Sequence, residues 1–298
     1  QQVLDLLQLV RMEMPVLLRG ALLCLLTRID GKVDKMYPFP LKSLSMKFKD
    51  YIDRTHAFTV SQLVENCGMS DSSAKTTLRR AVDAGQIERA RRGVYVSKSG
   101  RFTAAEIDSF ELLFAIDPKA VVSFHSALEV HGVAHNVGSV CQFRSASVKS
   151  AFEYSGISYV PFPLANGLPT QSVRGRGGLR TVVTTREQTI VDCLSHPDRC
   201  GGIEEALMSI SLFPYIDAEA LKDFVSDKSA SLAARTGWLL EQKAVKWRIP
   251  SDVLDELEGM AKGGPFKLDK DSTESRGWSR RWRLCLPEKE EEVAKWLL

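Results

Sequence analysis

The sequence predicts an α+β protein, with a small helical N-terminal part followed by a larger domain of mixed helices and strands. Apolar residues recur at helical spacing through much of the first 84 residues and again after residue 201. Between residues 140 and 184, short β-branched and aromatic runs are bounded by Gly and Pro, which is typical of strands. The 298 residues suffice for two domains, or three if one is small.

The composition is that of an ordinary globular chain, with 44% hydrophobic and 26% charged residues, which excludes wholesale disorder and a membrane bundle. The most apolar stretch, Pro15 to Ile29, is interrupted by Arg19 and Arg28 and is too short to cross a bilayer. The start of the sequence lacks the basic segment of a secretory signal. Six scattered cysteines without a CxxC pair favour reduced thiols. We therefore expect a cytoplasmic protein.

Residues 1–56 are predicted to be a helical extension that includes the first helix of the next module. Leucines at helical spacing run from residue 3 to residue 28, and Pro15 separates two helices there. After a break at Pro38-Phe39-Pro40, apolar residues recur every three or four positions from Leu41 to Ile52. This spacing predicts an amphipathic helix.

Residues 57–100 contain three further elements in quick succession. Thr59 is placed to cap a short helix that ends at Cys67-Gly68. After a polar turn, a second helix is predicted from about Ser73 to Ala84, with a buried stripe of Ala74, Leu78, Ala81 and Val82. Residues 86–90 and 93–97 then read as strands of a hairpin joined at Arg91-Arg92. A helix, a helix, a turn, a helix and a basic hairpin form the winged helix-turn-helix layout.

The residue types on the second helix and the hairpin suit contact with double-stranded DNA. A helix that enters the major groove needs short polar residues near its N-terminus, to approach base edges, and cations further along for phosphates. The expected base-reading residues are Ser72, Ser73, Lys75 and Thr76. The expected phosphate ligands are Arg79, Arg80, Arg89, Arg91 and Arg92.

The local charge supports the same interpretation. Residues 75–101 hold eight Lys and Arg against two acids, so their net charge is 8 − 2 = +6, whereas the whole chain carries +3. If about four phosphates are neutralised, log affinity should fall with log salt at a slope near −3.6. Replacing Arg91 by Ala should flatten that slope by about one unit. A helical subdomain with a solvated charged face is the alternative reading.

Residues 101–298 are predicted to form an α+β domain of mixed rather than alternating order. Helices are expected at 102–116, 123–130 and 185–196, the last with capping-box spacing at its start. Strands are expected at 121–122, 140–143, 157–160, 172–173 and 181–184. After residue 201 the chain is predicted to be helical to residue 261, with strands at 266–268 and 281–286 and a final helix at 288–298.

Several segments together resemble one known family. They are Arg91 to Tyr95, Val122 to Leu128, Thr181 to Gly202 (TVVTTREQTIVDCLSHPDRCGG), Leu232 to Glu241 and Arg281 to Leu284. In this order and spacing, which covers residues 57–286, they resemble the AbiEi antitoxins of type IV toxin-antitoxin systems. The extension 1–56 has no place in that pattern, and Gln188 stands where the family often has Arg.

The resemblance implies a function for both parts of the chain. The winged helix would bind inverted repeats in its own promoter, and the C-terminal domain would antagonise a cognate nucleotidyltransferase toxin, in many members without a stable complex. The protein would then be an autorepressor and antitoxin in phage defence, and not an enzyme. A toxin-sequestering module whose winged helix only mediates assembly is the alternative.

Three other groups of residues could carry chemistry, and each also has a structural explanation. His125, His131, His135 and Cys141 could be zinc ligands, but His131-Gly132 ends a helix and breaks the ligand spacing. Ser123 or Ser126 with His125 offers a nucleophile and a base by composition only. A nuclease element could be formed by Glu241-Gln242-Lys243 together with Asp217 or Asp223. This element requires Glu241 and Lys243 on a strand, where residues two apart share a face, but the sequence predicts a helix there. No phosphate-binding Gly-Lys-Ser/Thr loop occurs, and we expect no cofactor or metal.

Two further basic clusters stay open. Arg174, Arg176 and Arg180 could grip phosphate or an acidic partner, or could belong to a hairpin turn whose glycines supply positive φ. Four arginines between residues 276 and 283 alternate with Trp278 and Trp282, which suits either base stacking or a core.

Overall fold

The computed structural model describes residues 45–174 and 178–297, and over these residues the chain has the α+β fold that the sequence predicts. The prediction of helices before residue 45 lies outside the described residues. Within the described ranges, no helix is long and apolar enough to cross a membrane.

The N-terminal module is a three-helix unit with a three-stranded antiparallel sheet. Its strand order is β1-β3-β2, because β1 pairs with β3 and so extends the hairpin. The elements are α1 (Phe48–Arg54), β1 (Ala57–Thr59), α2 (Val60–Cys67), α3 (Asp71–Asp83), β2 (Ile87–Arg91) and β3 (Val94–Ser97). The order of a winged helix-turn-helix is therefore confirmed, and β1 is the element that the sequence analysis missed.

Local capping chemistry fixes the helix-turn-helix. The Thr59 hydroxyl accepts from the Gln62 amide at 3.2 Å, and the Thr59 amide donates to Gln62 Oε1 at 2.7 Å, a reciprocal capping box. Gly68 ends α2 with φ +61°, a left-handed conformation that costs glycine little. The Ser70 hydroxyl accepts from the Ser73 amide, so α3 begins at Asp71, earlier than predicted.

The hairpin turns one residue later than the sequence predicts. Arg91 is the last residue of β2, and the turn is formed by Arg92 and by Gly93, whose φ of +81° suits a residue without Cβ. The pairing of β2 with β3 shifts between Arg89 and Arg91, which is a bulge in β2. The prediction for α3 also needs one correction: Val82 is 38% exposed, because it lies at the edge of the stripe formed by the buried Ala74, Leu78 and Ala81.

The C-terminal part continues with a mixed six-stranded sheet and flanking helices. Its first half contains α4 (Ser109–Ile116), β4 (Val121–Val122), α5 (His125–His131), β5 (Val140–Ser145), β6 (Phe152–Tyr154), β7 (Ile157–Pro163), β8 (Thr170–Arg174), β9 (Arg180–Thr184) and α6 (Arg186–Ser195). Helix α4 starts at Ser109 and not at residue 102, because Asp108 Oδ1 accepts from the amides of Phe110 and Glu111. Strand β6 was not predicted.

The order of the six strands decides what lies at the edges of the sheet. The order is β6-β7-β5-β4-β9-β8, with parallel pairs β5·β7 and β4·β9 and antiparallel pairs elsewhere. Strand β6 is one edge and strand β8 is the other. The basic hairpin of β8 and β9 is therefore at the edge opposite to β6.

The remainder is mainly helical and holds the largest core. Its elements are α7 (Ile203–Ser211), α8 (Ala218–Val225), α9 (Ala230–Gln242), α10 (Ala244–Trp247), α11 (Ser251–Met260), β10 (Phe266–Lys267), β11 (Gly277–Ser279), β12 (Leu284–Leu286) and α12 (Glu290–Lys295). The strands form a small sheet of order β10-β12-β11, in which β11 was not predicted. At the start of α6, Thr185 accepts from the Gln188 amide, but the Gln188 side chain donates to Asp192, so the predicted capping box is only half formed.

Candidate nucleic-acid interface

The N-terminal end of α3 carries a group of exposed hydroxyls. Ser70 Oγ lies 3.1 Å from Ser72 Oγ and 2.9 Å from Ser73 Oγ, and all three residues are exposed. Thr76 donates its hydroxyl hydrogen to the Ser72 carbonyl at 3.1 Å. Thr76 therefore presents an oxygen acceptor and a methyl group outward, which suits a cytosine amino group or a thymine methyl group.

Five cations lie on the same exposed part of the module. They are Lys75, Arg79, Arg80, Arg89 and Arg92. Among the residues that the structure describes, none of the five forms an ion pair with a carboxylate. By contrast, Lys98 lies 3.8 Å from Glu88, and Arg101 donates to the Arg54 carbonyl. These five cations therefore add positive charge without a carboxylate partner among the described residues to the surface of α3 and the hairpin.

Arg91 is placed differently from the other predicted phosphate ligands. Its guanidinium carbon lies 4.7 Å from the ring centroid of Phe152 in β6. Its Nη1 is buried without a hydrogen-bond partner among the described residues. A phosphate cannot reach this one nitrogen, but Arg91 as a whole is only half-buried, so its role as a phosphate ligand stays a prediction. The other eight predicted site residues are exposed on α3 and the hairpin.

A second side-chain contact joins the hairpin to the same edge strand. The Tyr154 hydroxyl of β6 donates to Glu88 Oε2 of β2 at 2.8 Å. Burial and this hydrogen bond raise the pKa of Tyr154, so the phenol keeps its proton. Sequence reasoning missed Phe152 and Tyr154, because a three-residue strand of Phe-Glu-Tyr carries no local sign of a contact with β2.

The module and the C-terminal sheet also share an apolar core. Ala57, Ala90, Val94 and Val96 of the small sheet are buried in one cluster with Leu112, Leu113 and Tyr159. Beside this cluster, His56 Nδ1 lies 3.2 Å from Glu111 Oε2, and the His56 ring stacks on Phe102 at 4.3 Å. The N-terminal module and the C-terminal sheet are therefore packed against each other across the predicted boundary near residue 100.

The second predicted basic patch is partly described. Arg174 and Arg180 are exposed cross-strand partners in β8 and β9, and Arg180 Nε donates to Ser172 Oγ at 2.7 Å. Arg176 lies outside the described residues. Like charges directly opposite each other weaken a strand pair. Both interpretations, an anion contact and a hairpin turn, stay predictions.

The histidines of the zinc alternative contact carboxylates or a carbonyl, and His125 Nε2 and His135 Nδ1 share Glu205, at 3.6 and 3.3 Å. His125 Nδ1 lies 3.1 Å from Glu129, His131 Nε2 lies 2.9 Å from the Thr184 carbonyl, and His135 Nδ1 lies 3.3 Å from Glu205. Within residues 45–174 and 178–297, no group of three or more His, Cys, Asp or Glu residues is arranged to hold a metal ion. The structure does not bring the proposed zinc ligands together.

His125 gives the fold a pH dependence. Its hydrogen bond to Glu129 raises the pKa above 6.5, burial opposes this, and the charges of Glu129 and Glu205 add to it. A raised folded-state pKa stabilises the fold fully below pH 6.5 and loses that effect as pH rises through the folded pKa. We expect the loss of unfolding free energy in His125→Gln to be greatest below pH 6.5 and to shrink above it, as measured by urea unfolding.

The pH dependence of the unfolding free energy must be compared between the wild type and the variant, because His131 and His196 oppose the contribution of His125. Burial lowers the pKa of both histidines. As a control, Glu129→Gln should abolish most of the pH dependence. A destabilisation by His125→Gln that is the same at every pH would contradict this assignment.

The catalytic alternatives are not assembled. Ser123 Oγ donates to the Val121 carbonyl and Ser126 Oγ to the Val140 carbonyl, so neither hydroxyl faces a base. The Glu241 carboxylate accepts from Arg281 at 3.1 Å and from the Trp282 indole at 2.7 Å.

Two further members of the nuclease element, Lys243 and Asp217, are also engaged elsewhere. The buried Lys243 donates to the Leu297 carbonyl, and Asp217 caps α8. Arg281 lies 2.7 Å from Asp255 and 2.8 Å from Glu258. Trp282 is fully buried in the helical core, whereas Trp278 is 48% exposed, so the core explanation holds for Trp282 and a stacking role stays a prediction for Trp278.

The fold and the site define a winged helix-turn-helix protein that continues into a mixed α+β domain. Residues 49–98 match the sequence model of the AbiEi antitoxin transcriptional regulators. The predicted resemblance is thereby confirmed for this segment, which contains α2, α3 and the hairpin and begins within the extension that the sequence analysis left outside the family pattern.

A solved structure shows the same fold over most of the chain. The RV2827C protein from Mycobacterium tuberculosis superposes with a TM-score of 0.58 at 17% sequence identity. The match covers 83% of this chain and 91% of that one. At this identity the likeness concerns the fold alone. No curated protein matches the sequence.

Proposed function

We propose that this protein is a cytoplasmic DNA-binding autorepressor and the antitoxin of a type IV toxin-antitoxin system, without enzymatic activity of its own. Its operator would be an inverted repeat in its own promoter. Its counterpart would be a nucleotidyltransferase toxin, as in the abortive infection systems that act in phage defence.

One observation carries the DNA-binding part of the proposal. Lys75, Arg79, Arg80, Arg89 and Arg92 are exposed without an ion pair among the described residues, next to the hydroxyl-bearing start of α3. Unpaired cations on one surface raise the local concentration of polyanions. Short polar side chains at the start of a recognition helix let the backbone approach base edges. This combination suits a complex with DNA in which α3 lies in the major groove and the hairpin lies beside the phosphate backbone.

The experiment is a titration of a labelled duplex that carries the inverted repeat of its own promoter. We expect tight binding to this duplex, weaker binding to a scrambled duplex, and a slope of log affinity against log salt near −3.6 if about four phosphates are neutralised. Equal affinity for both duplexes, or an affinity that does not depend on salt, would refute the repressor.

The antitoxin part is supported by the family description of residues 49–98 and needs its own test. We expect co-expression to restore growth of cells that produce the proposed nucleotidyltransferase toxin. Rescue by a variant that lacks operator binding would separate neutralisation from repression. If this protein and the toxin co-purify and the operator is not bound, the protein is a toxin-sequestering module and not a repressor.

A further inference from the structure

The hairpin that should contact DNA is held by the edge strand of the other domain. The Phe152 ring of β6 stacks on the fully buried Tyr159 with centroids 4.5 Å apart and an interplanar angle of 6°. The Arg91 guanidinium lies over the same Phe152 ring at 4.7 Å. Phe152 thus connects the last residue of β2 to the core of the C-terminal sheet.

The second contact lies on the same strand pair. Tyr154 and Phe152 are alternate residues of β6, and they contact Glu88 and Arg91 of β2. Arg91 immediately precedes the turn residue Arg92, which is exposed. A restraint on Arg91 therefore limits how far the arginines at the tip of the hairpin can move.

We infer that Phe152 and Tyr154 are positioning residues for operator binding, which hold the hairpin in its DNA-binding orientation through Arg91 and Glu88. This inference rests on the proposed repressor function. A hairpin that is already ordered loses less conformational entropy when it binds, so part of the affinity comes from residues that never contact DNA. Operator binding and the C-terminal domain are coupled at this contact.

The key variants separate charge from stacking. Arg91→Lys keeps the positive charge and loses the planar group that stacks on Phe152. Phe152→Leu keeps an apolar side chain and loses the ring. We expect each to weaken operator binding about five-fold to ten-fold, which is in the range of a partly buried cation–π contact, and the double variant to be no weaker than either single variant.

Three further variants show whether the effect on operator affinity arises from the positioning of the hairpin. Phe152→Tyr keeps an aromatic ring at this position and should bind the operator like the wild type. Tyr154→Phe removes only the hydroxyl that donates to Glu88 and should weaken binding by a smaller factor. Phe224→Leu makes the same exchange in α8, within the separate helical core, and should leave operator affinity unchanged.

A readout without DNA tests the restraint directly. Trypsin should cleave at Arg92 faster in Phe152→Leu than in the wild type or in Phe224→Leu. We expect all three proteins to have the same melting temperature, so that faster cleavage reports the hairpin and not global unfolding. If Arg91→Lys and Phe152→Leu bind like the wild type, or if their effects add, the inference is wrong while the repressor stands. If the wild type itself does not bind its promoter repeat, the proposed function fails and the inference with it.

Discussion

Replacing Arg79 and Arg80 together by Ala should remove most of the salt dependence that α3 contributes to operator binding. Both side chains are exposed, and no carboxylate among the described residues pairs with either. Each phosphate contact adds about 0.9 to the slope of log affinity against log salt, so the double variant should flatten it by about 1.8. Anisotropy titrations of the promoter duplex at several salt concentrations measure this change.

The loss should be nearly the same for the operator and for a scrambled duplex, because phosphate contacts carry no sequence information. Thr76→Val supplies the contrast. This variant keeps a methyl group and loses the oxygen acceptor, so it should leave the slope unchanged and narrow the preference for the operator by about 1–3 kcal/mol if Thr76 reads one base.

The matched control removes two exposed charges elsewhere. Lys149→Ala with Lys262→Ala changes the net charge by the same amount outside the N-terminal module. Its slope should stay close to that of the wild type. A flattening equal to that of the Arg79 and Arg80 variant would mean that net charge, rather than this face, determines binding.

Local chemistry explains which parts of the winged helix could be predicted from the sequence. Thr59, Gly68 and Ser70 act on amides or backbone conformations within four residues, so their roles are legible in a short window. The order of helices and hairpin follows from such signals. The exposure of Lys75 and Arg79 also follows from helical periodicity, because Ala74 and Leu78 fix the buried side of α3.

Contacts between distant segments explain what could not be predicted. Arg91 reads as one more cation of a basic hairpin, and only the fold brings Phe152 against it. Strand β6 pairs with β7, and although Phe152 and Tyr154 are residue types that favour strands, a run of three residues is too short to predict one. Val82 fits the apolar spacing of α3, but it lies at the edge of the buried stripe and is 38% exposed. In each case a tertiary contact, or its absence, overrides the local pattern.

The largest expected effect on stability is that of Gly237→Ala in the middle of α9. Ala normally stabilises a helix by about 1 kcal/mol relative to Gly, so propensity alone predicts a gain. Here an added Cβ would lie 2.0 Å from Cζ3 and 2.2 Å from Cη2 of Trp282. Trp282 is fully buried and donates its indole hydrogen to Glu241 at 2.7 Å, so the ring cannot move away without cost.

We therefore expect Gly237→Ala to lower the free energy of unfolding by about 3 kcal/mol, at the upper end of ordinary overpacking, and the melting temperature by roughly 6–12 °C. Gly259→Ala in α11 is the matched control, because its Cβ would meet no atom within 4 Å. That variant should be as stable as the wild type or gain up to about 1 kcal/mol. Denaturant unfolding followed by circular dichroism measures both, and equal stability of the two variants would contradict the close packing of α9 against Trp282.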